Sequence, residues 1–198
     1  MLEIEDKDDG IRCIGLNRPD KRNAIGVEMT LALEEILLKT QVDPTVKTII
    51  FHGLGGHFCA GMDMKDFFDS STRPAELLQR ARKATEHWRI ELLRQMPQKI
   101  FSAVEGYCLG GGLPIVAASI AVVAQRDAKL GLPEINFGFV PGGQIIKAVD
   151  EVMAPRGLAY AALSGRPFDA EQAQRWGLVT QVVESDPLQH ALVLARAT

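Results

Sequence analysis

Cysteine is scarce in this chain. There are three in 198 residues, Cys13, Cys59 and Cys108, an odd number, far apart and with no C-x-x-C pair. A disulfide framework and a thiol-based metal or redox motif are therefore not expected, and the three read as reduced, mostly buried thiols. The four histidines, His52, His57, His87 and His190, fall into no H-E-x-x-H or other ligand spacing, so no metal site is expected either. Long apolar runs are also missing. The best candidate, residues 109–124, is broken by Gly110, Gly111, Gly112 and Pro114 and falls short of the ~20 residues that a membrane span needs. The first ten residues, MLEIEDKDDG, are acidic and resemble neither a secretory signal nor an Arg-rich transit peptide, which makes the cytoplasm the expected location. Charge of one sign is lacking too. The net charge is −3, which speaks against a nucleic-acid partner, and the local basic cluster Arg18, Lys21 and Arg22 suits one phosphorylated small molecule.

What is present is a foldable soluble chain, 46% hydrophobic and 24% charged. No repeat, linker or low-complexity stretch divides it, so residues 1–198 are expected to form a single domain. The patterning predicts strands over 11–16, 48–51, 100–104, 120–124 and 178–183. Helices are expected over 25–38, 75–95, 112–119, 154–163 and 169–176, with Asp169 as an N-cap, and a last one begins near Pro187 and is still helical where the chain ends. Alternating strands and helices indicate the α/β class.

Three segments carry chemical promise. Residues 58–65, FCAGMDMK, follow a buried strand and a glycine turn, and a strand that passes through small residues into a helix leaves amide donors unpaired at the helix start. Such donors suit an anion or a developing oxyanion, although a plain strand-to-helix turn has the same pattern. Residues 106–114, GYCLGGGLP, set three glycines at a helix start; each weakens a helix by roughly 1 kcal/mol against alanine, so they fit either a flexible loop or a close approach to the backbone. No P-loop, dinucleotide fingerprint or G-x-S-x-G elbow completes either run. Within residues 130–143, Glu134 lies in an apolar stretch where burial would raise its pKa toward values useful for acid/base work, while a lone loop glutamate is also compatible with simple solvation.

Residues 16–25 (LNRPDKRNAI), 58–63 (FCAGMD), 106–112 (GYCLGGG) and 133–135 (PEI), in this order, resemble the enoyl-CoA hydratase/isomerase (crotonase) superfamily over essentially the whole chain. Residues 60–68, 88–94 and 134–148 look most like its hydroxycinnamoyl-CoA (feruloyl-CoA) hydratase-lyase branch. The resemblance implies a crotonase-like ββα spiral core. Its C-terminal helical part would be truncated here, because members continue where this chain stops. It also implies an acyl-CoA thioester substrate, with coenzyme A a part of the substrate and no separate cofactor, and a homotrimer or homohexamer.

Carried over by position, the resemblance places the thioester oxygen between the amides of Met62 and Gly111, with Glu134 as the acid/base. Coenzyme A would run along Lys21, Arg22, Ala24, Ala60, Asp63, Met64, Lys65, Gly112 and Leu113. Two positions depart from the pattern. Two-glutamate hydratases carry a glutamate where this chain has Pro114, so only Glu134 remains; and Phe67 stands where the hydratase-lyase branch has a tyrosine that can bond a substrate phenol. Both are expected in the substrate pocket. Three activities follow as alternatives: hydration of an enoyl-CoA, with retro-aldol cleavage for an aryl-propenoyl group; Δ3,Δ2-enoyl-CoA isomerisation by the single glutamate; or non-catalytic binding of acyl-CoA or an acyl carrier.

Overall fold

A computed structural model of the chain describes residues 1–198 apart from Ser70, Thr72 and Gly143, the last of which ends the Glu134 segment. Its frame is a six-stranded sheet built from β1 (Leu2–Asp6), β2 (Ile11–Leu16), β3 (Thr48–Gly53), β4 (Lys99–Val104), β6 (Ala121–Gln125) and β9 (Gln181–Val183), in that spatial order. β1 pairs antiparallel with β2, and every later neighbour is parallel. A second, three-stranded sheet joins β5 (Tyr107–Leu109) and β7 (Lys129–Gly131) in parallel and adds β8 (Phe168–Asp169) antiparallel.

The central strands are apolar on both faces because both faces are covered. All six residues of β2 are buried. Its Ile14 and Leu16 enter the main core with Met29, Leu33 and Leu37 of α1 (Val27–Gln41), while Ile11 and Cys13 pack with Ile50, Phe101 and Val123 beneath Ala191, Leu192 and Ala195 of α9 (Pro187–Ala197). Parallel strands so enclosed read as continuous hydrophobic runs.

The expected elements form, with shifted ends and one interruption. The helix expected over 75–95 is α-helical as α3 (Ala75–Glu86), winds into a π-helical segment over His87–Leu92, and closes with α4 (Leu93–Gln95). The strand expected over 178–183 is shortened to β9 from Gln181, although the Thr180 amide already donates to the Val122 carbonyl at 2.9 Å, and Gly177 (φ +89°) precedes it. The helix expected over 112–119 is α5 (Leu113–Ala117), entered through a 3-10 turn of Gly110–Gly112. The 154–163 helix is α7 (Pro155–Ser164), and α8 (Ala170–Arg175) starts where expected, with the Asp169 carboxylate accepting from the Gln172 amide at 2.8 Å. The helix start expected at the end of residues 58–65 is α2 (Met64–Phe68), and one short helix, α6 (Ile145–Asp150), has no counterpart in the sequence reading. Among the described residues, no helix is long and apolar enough to cross a membrane.

Candidate active site

The site is built on the turn after β2. A 3-10 turn of Pro19–Lys21 leads into two successive left-handed residues, Arg22 (φ +50°) and Asn23 (φ +58°). Asparagine tolerates this conformation, and here its fully buried side chain fixes it. Asn23 Oδ1 accepts from the Arg18 amide at 2.7 Å, and Nδ2 donates to the carbonyls of Leu54 at 2.9 Å and His57 at 2.6 Å. The turn is thereby tied to the segment that follows β3.

That segment runs between two partners. On one side the Ala60 amide donates to the Arg22 carbonyl, the Ile25 amide to the Gly61 carbonyl at 2.8 Å, and the Asp63 amide to the Ile25 carbonyl at 2.9 Å. The last two bonds bracket Met62 in a parallel bridge with Ile25, so the amide of Met62 itself is turned away from Ile25. On the other side Cys59 bridges Cys108 of β5: its amide donates to the Tyr107 carbonyl at 2.8 Å and its carbonyl accepts from the Leu109 amide at 2.9 Å. β5 then passes directly into Gly110–Gly112. The first amides of such a turn have no acceptor within it, and the Gly111 amide is one of them.

Glu134 arrives by the β5–β7 pair. Leu109 is in register with Gly131, so the chain leaves both strands at the same end, into the triple glycine on one side and into a 3-10 turn of Pro133–Phe137 on the other. Glu134 therefore sits in a short helix rather than in the open loop its sequence suggests. A Cβ added to Gly110 (φ +45°) would lie 2.5 Å from Glu134 Oε1, and one added to Gly111 would lie 2.9 Å from Met62 Cγ. The missing side chains of Gly110 and Gly111 thus let Glu134 and Met62 approach the turn closely. Glu134 is 9% exposed, and its Oε2 has no hydrogen-bond partner among the described residues. Burial pushes its carboxyl above the usual range, opposed by its own amide and by the charge of Arg89.

Arg89 was not anticipated from the sequence. It lies in the π-helical segment next to Trp88 and is 5% exposed. Its Nη2 lies 3.1 Å from Met62 Sδ and 3.2 Å from where a Gly111 Cβ would stand. Burial lowers its pKa to about 10, which leaves it a cation at neutral pH.

The remaining expected residues fall into two groups. Lys21, Arg22, Met64 and Lys65 are exposed, and Ala24, Ala60 and Asp63 are half-buried along the same rim. The Asp63 carboxylate caps α2 through the Asp66 amide and pairs with Arg18 at 2.8 Å. Gly112, Leu113 and Pro114 lie behind the rim, where Gly112 packs on Cys59 and Leu113 is fully buried in the main core. Phe67, 2% exposed, packs with Val27, Leu78 and Ala81 and meets the site through Met62, which lies against that cluster. Burial pushes the Cys59 thiol up to about 12 and Cys108 well above its usual value, so neither is a nucleophile at neutral pH. Among the described residues no three metal-ligating side chains gather.

The chain matches the family model described as enoyl-CoA hydratase/isomerase over residues 6–197. It is 34% identical to a hydroxycinnamoyl-CoA hydratase-lyase from Pseudomonas fluorescens over 98% of this chain and 70% of that protein. To a mevalonyl-coenzyme A hydratase from Aspergillus fumigatus it is 36% identical, over 90% of this chain and 64% of that one. The solved structure of AtuE from Pseudomonas aeruginosa superposes with a TM-score of 0.87 at 32% identity, covering 100% of this chain and 77% of that chain.

Proposed function

The chain belongs to the enoyl-CoA hydratase/isomerase family, and on that premise we propose that it adds water to an enoyl-CoA thioester, with Glu134 as the single acid/base. The observation that carries this reading is the placement of the Glu134 carboxylate against Gly110, with the Met62 side chain against the adjoining Gly111 and proline at position 114. The thioester oxygen sits between the amides of Met62 and Gly111, each worth ~3–4 kcal/mol as its negative charge develops. Glu134 takes a proton from water as the oxygen attacks the β carbon, and returns it to the α carbon of the resulting enolate. Coenzyme A runs along the rim formed by Lys21, Arg22, Ala24 and Ala60, with Lys65 free in space to meet its phosphates.

The likeness to a hydroxycinnamoyl-CoA hydratase-lyase supports an aryl-propenoyl group as the acyl part. The β-hydroxy thioester would then give its hydroxyl proton to the Glu134 carboxylate and break its α–β bond, giving an aldehyde and the enolate of acetyl-CoA, which takes the proton back at its α carbon. Phe67 has no hydroxyl to meet a phenol and lies in an apolar cluster, which favours an unsubstituted or alkylated ring. The single carboxylate also suits isomerisation, in which one base moves a proton between the α and γ carbons.

Product identification after separate incubation with a 2-enoyl-CoA, a 3-enoyl-CoA and a hydroxycinnamoyl-CoA tests these readings. A β-hydroxyacyl-CoA or an aldehyde is the expected product, a shifted double bond replaces hydration with isomerisation, and coenzyme A binding without any product refutes catalysis. Glu134→Gln is expected to lower turnover by at least about 10²-fold with binding retained.

A further inference from the structure

Arg89 has no part in the chemistry described so far, yet it lies at its centre. The segment that carries it, His87–Leu92, is π-helical, a winding found as short insertions in α-helices and often at functional sites. The ring of Trp88 is anchored by its Nε1, which donates to Thr30 Oγ1 at 2.7 Å, and the Arg89 guanidinium stands 5.4 Å over that ring. From there Nη2 reaches the side chain of Met62 and the flank of Gly111, the two residues whose amides are given the thioester oxygen in the reading above.

The charges around this pair are few. Toward Arg89 face Glu134, Cys59 and, from the outer turn of α3, the exposed Glu86. Toward Glu134 faces Arg89; the helix α7, which packs on the Pro133–Phe137 turn, carries Arg156 and Tyr160, but both are exposed. The glycine turn contributes no titratable group, and both nearby thiols are protonated.

We propose that Arg89 is a positioning residue for the reaction: its buried guanidinium, set against both residues of the oxyanion site, holds Glu134 as a carboxylate and adds a positive field where the thioester oxygen becomes negative. The inference rests on the acid/base role given to Glu134 above. A cation with only 5% exposure is screened by little solvent, so its field on a neighbouring anion is stronger than that of a surface charge. It forms no bond to substrate, so its removal weakens turnover rather than coenzyme A binding.

The test reads Glu134 directly, in substrate-free protein. Infrared difference titration of the carboxyl band, assigned by its loss in Glu134→Gln, is carried out on wild type, Arg89→Met, Arg89→Gln and Arg89→Lys. Both neutral variants are expected to raise the Glu134 midpoint by about one pH unit or more, and Arg89→Lys to return most of the shift. The acid limb of kcat should move upward by the same amount, with kcat lower by about 10-fold to 10²-fold and coenzyme A affinity unchanged. A midpoint that stays in place in whichever neutral variant folds overturns the inference. A shifted midpoint in a protein that turns over no enoyl-CoA, wild type included, upholds the coupling and overturns the proposed activity instead.

Discussion

Gly110→Ala separates the geometry of the site from its stability. At φ +45° an alanine incurs left-handed strain of roughly 1–2 kcal/mol. Its Cβ also falls 2.5 Å from Glu134 Oε1, against 3.4 Å for ordinary contact, so the carboxylate must retreat by about 0.9 Å. A displacement of that size at a catalytic group lowers turnover by about 10²-fold. Gly56→Ala is the matched control. Its φ is +80° and nothing lies within 4 Å of the added Cβ, so it bears comparable strain and moves nothing. Urea denaturation of both variants, with loss of enoyl-CoA absorbance as the activity readout, gives the comparison. Both should lose about 1–2 kcal/mol of stability, and only Gly110→Ala should lose activity. Equal activity in the two, or full activity in Gly110→Ala, would refute the close approach of Glu134 to the triple glycine.

Other consequences are open to measurement. Glu134 has a raised pKa, so the folded state binds its proton more tightly than the unfolded chain does, and its contribution is favourable at low pH and lost as pH rises through the folded value. Glu134→Gln should therefore be more stable than wild type at neutral pH, with the gain shrinking to nothing as pH falls below about 4 in a pH series of thermal melts. Asn23→Ala removes three hydrogen bonds and leaves two carbonyls and an amide without their partner, a loss of about 2–4 kcal/mol by chemical denaturation. Trp88→Phe leaves Thr30 without the indole donor and should cost about 1–2 kcal/mol, with the far-UV spectrum unchanged.

The parts of the fold that were legible in the sequence are those with a strong local pattern. The buried strand β2 stood out by its alternation, β3 as a β-branched run, β4 as a short apolar stretch, and Asp169 as a cap, because these depend on a few neighbouring residues. β1 was not legible: its residues are mostly exposed and charged, and pairing with β2 makes it a strand. β5, β7 and β8 are two or three residues long, too short for any periodicity, and exist through one another. The site shows the same division. Glu134, Met62 and Gly111 could be named from motifs, but the helical turn around Glu134 depends on where β7 ends. Arg89 depends on a π-helical winding that no residue pattern in α3 announces.

The order of strands in the main sheet has a kinetic side. Only β1 and β2 meet as a hairpin; Thr48 must find both Ile11 and Lys99, and Val123 waits for Gln181 from near the end of the chain. Such non-local pairing makes for slow folding. Asn23, Met62, Arg89, Gly111 and Glu134 come together only when β4 and the β5–β7 pair are in place. The candidate site is thus made of long-range contacts, and a chain that has formed only its local ones, however compact, does not contain it.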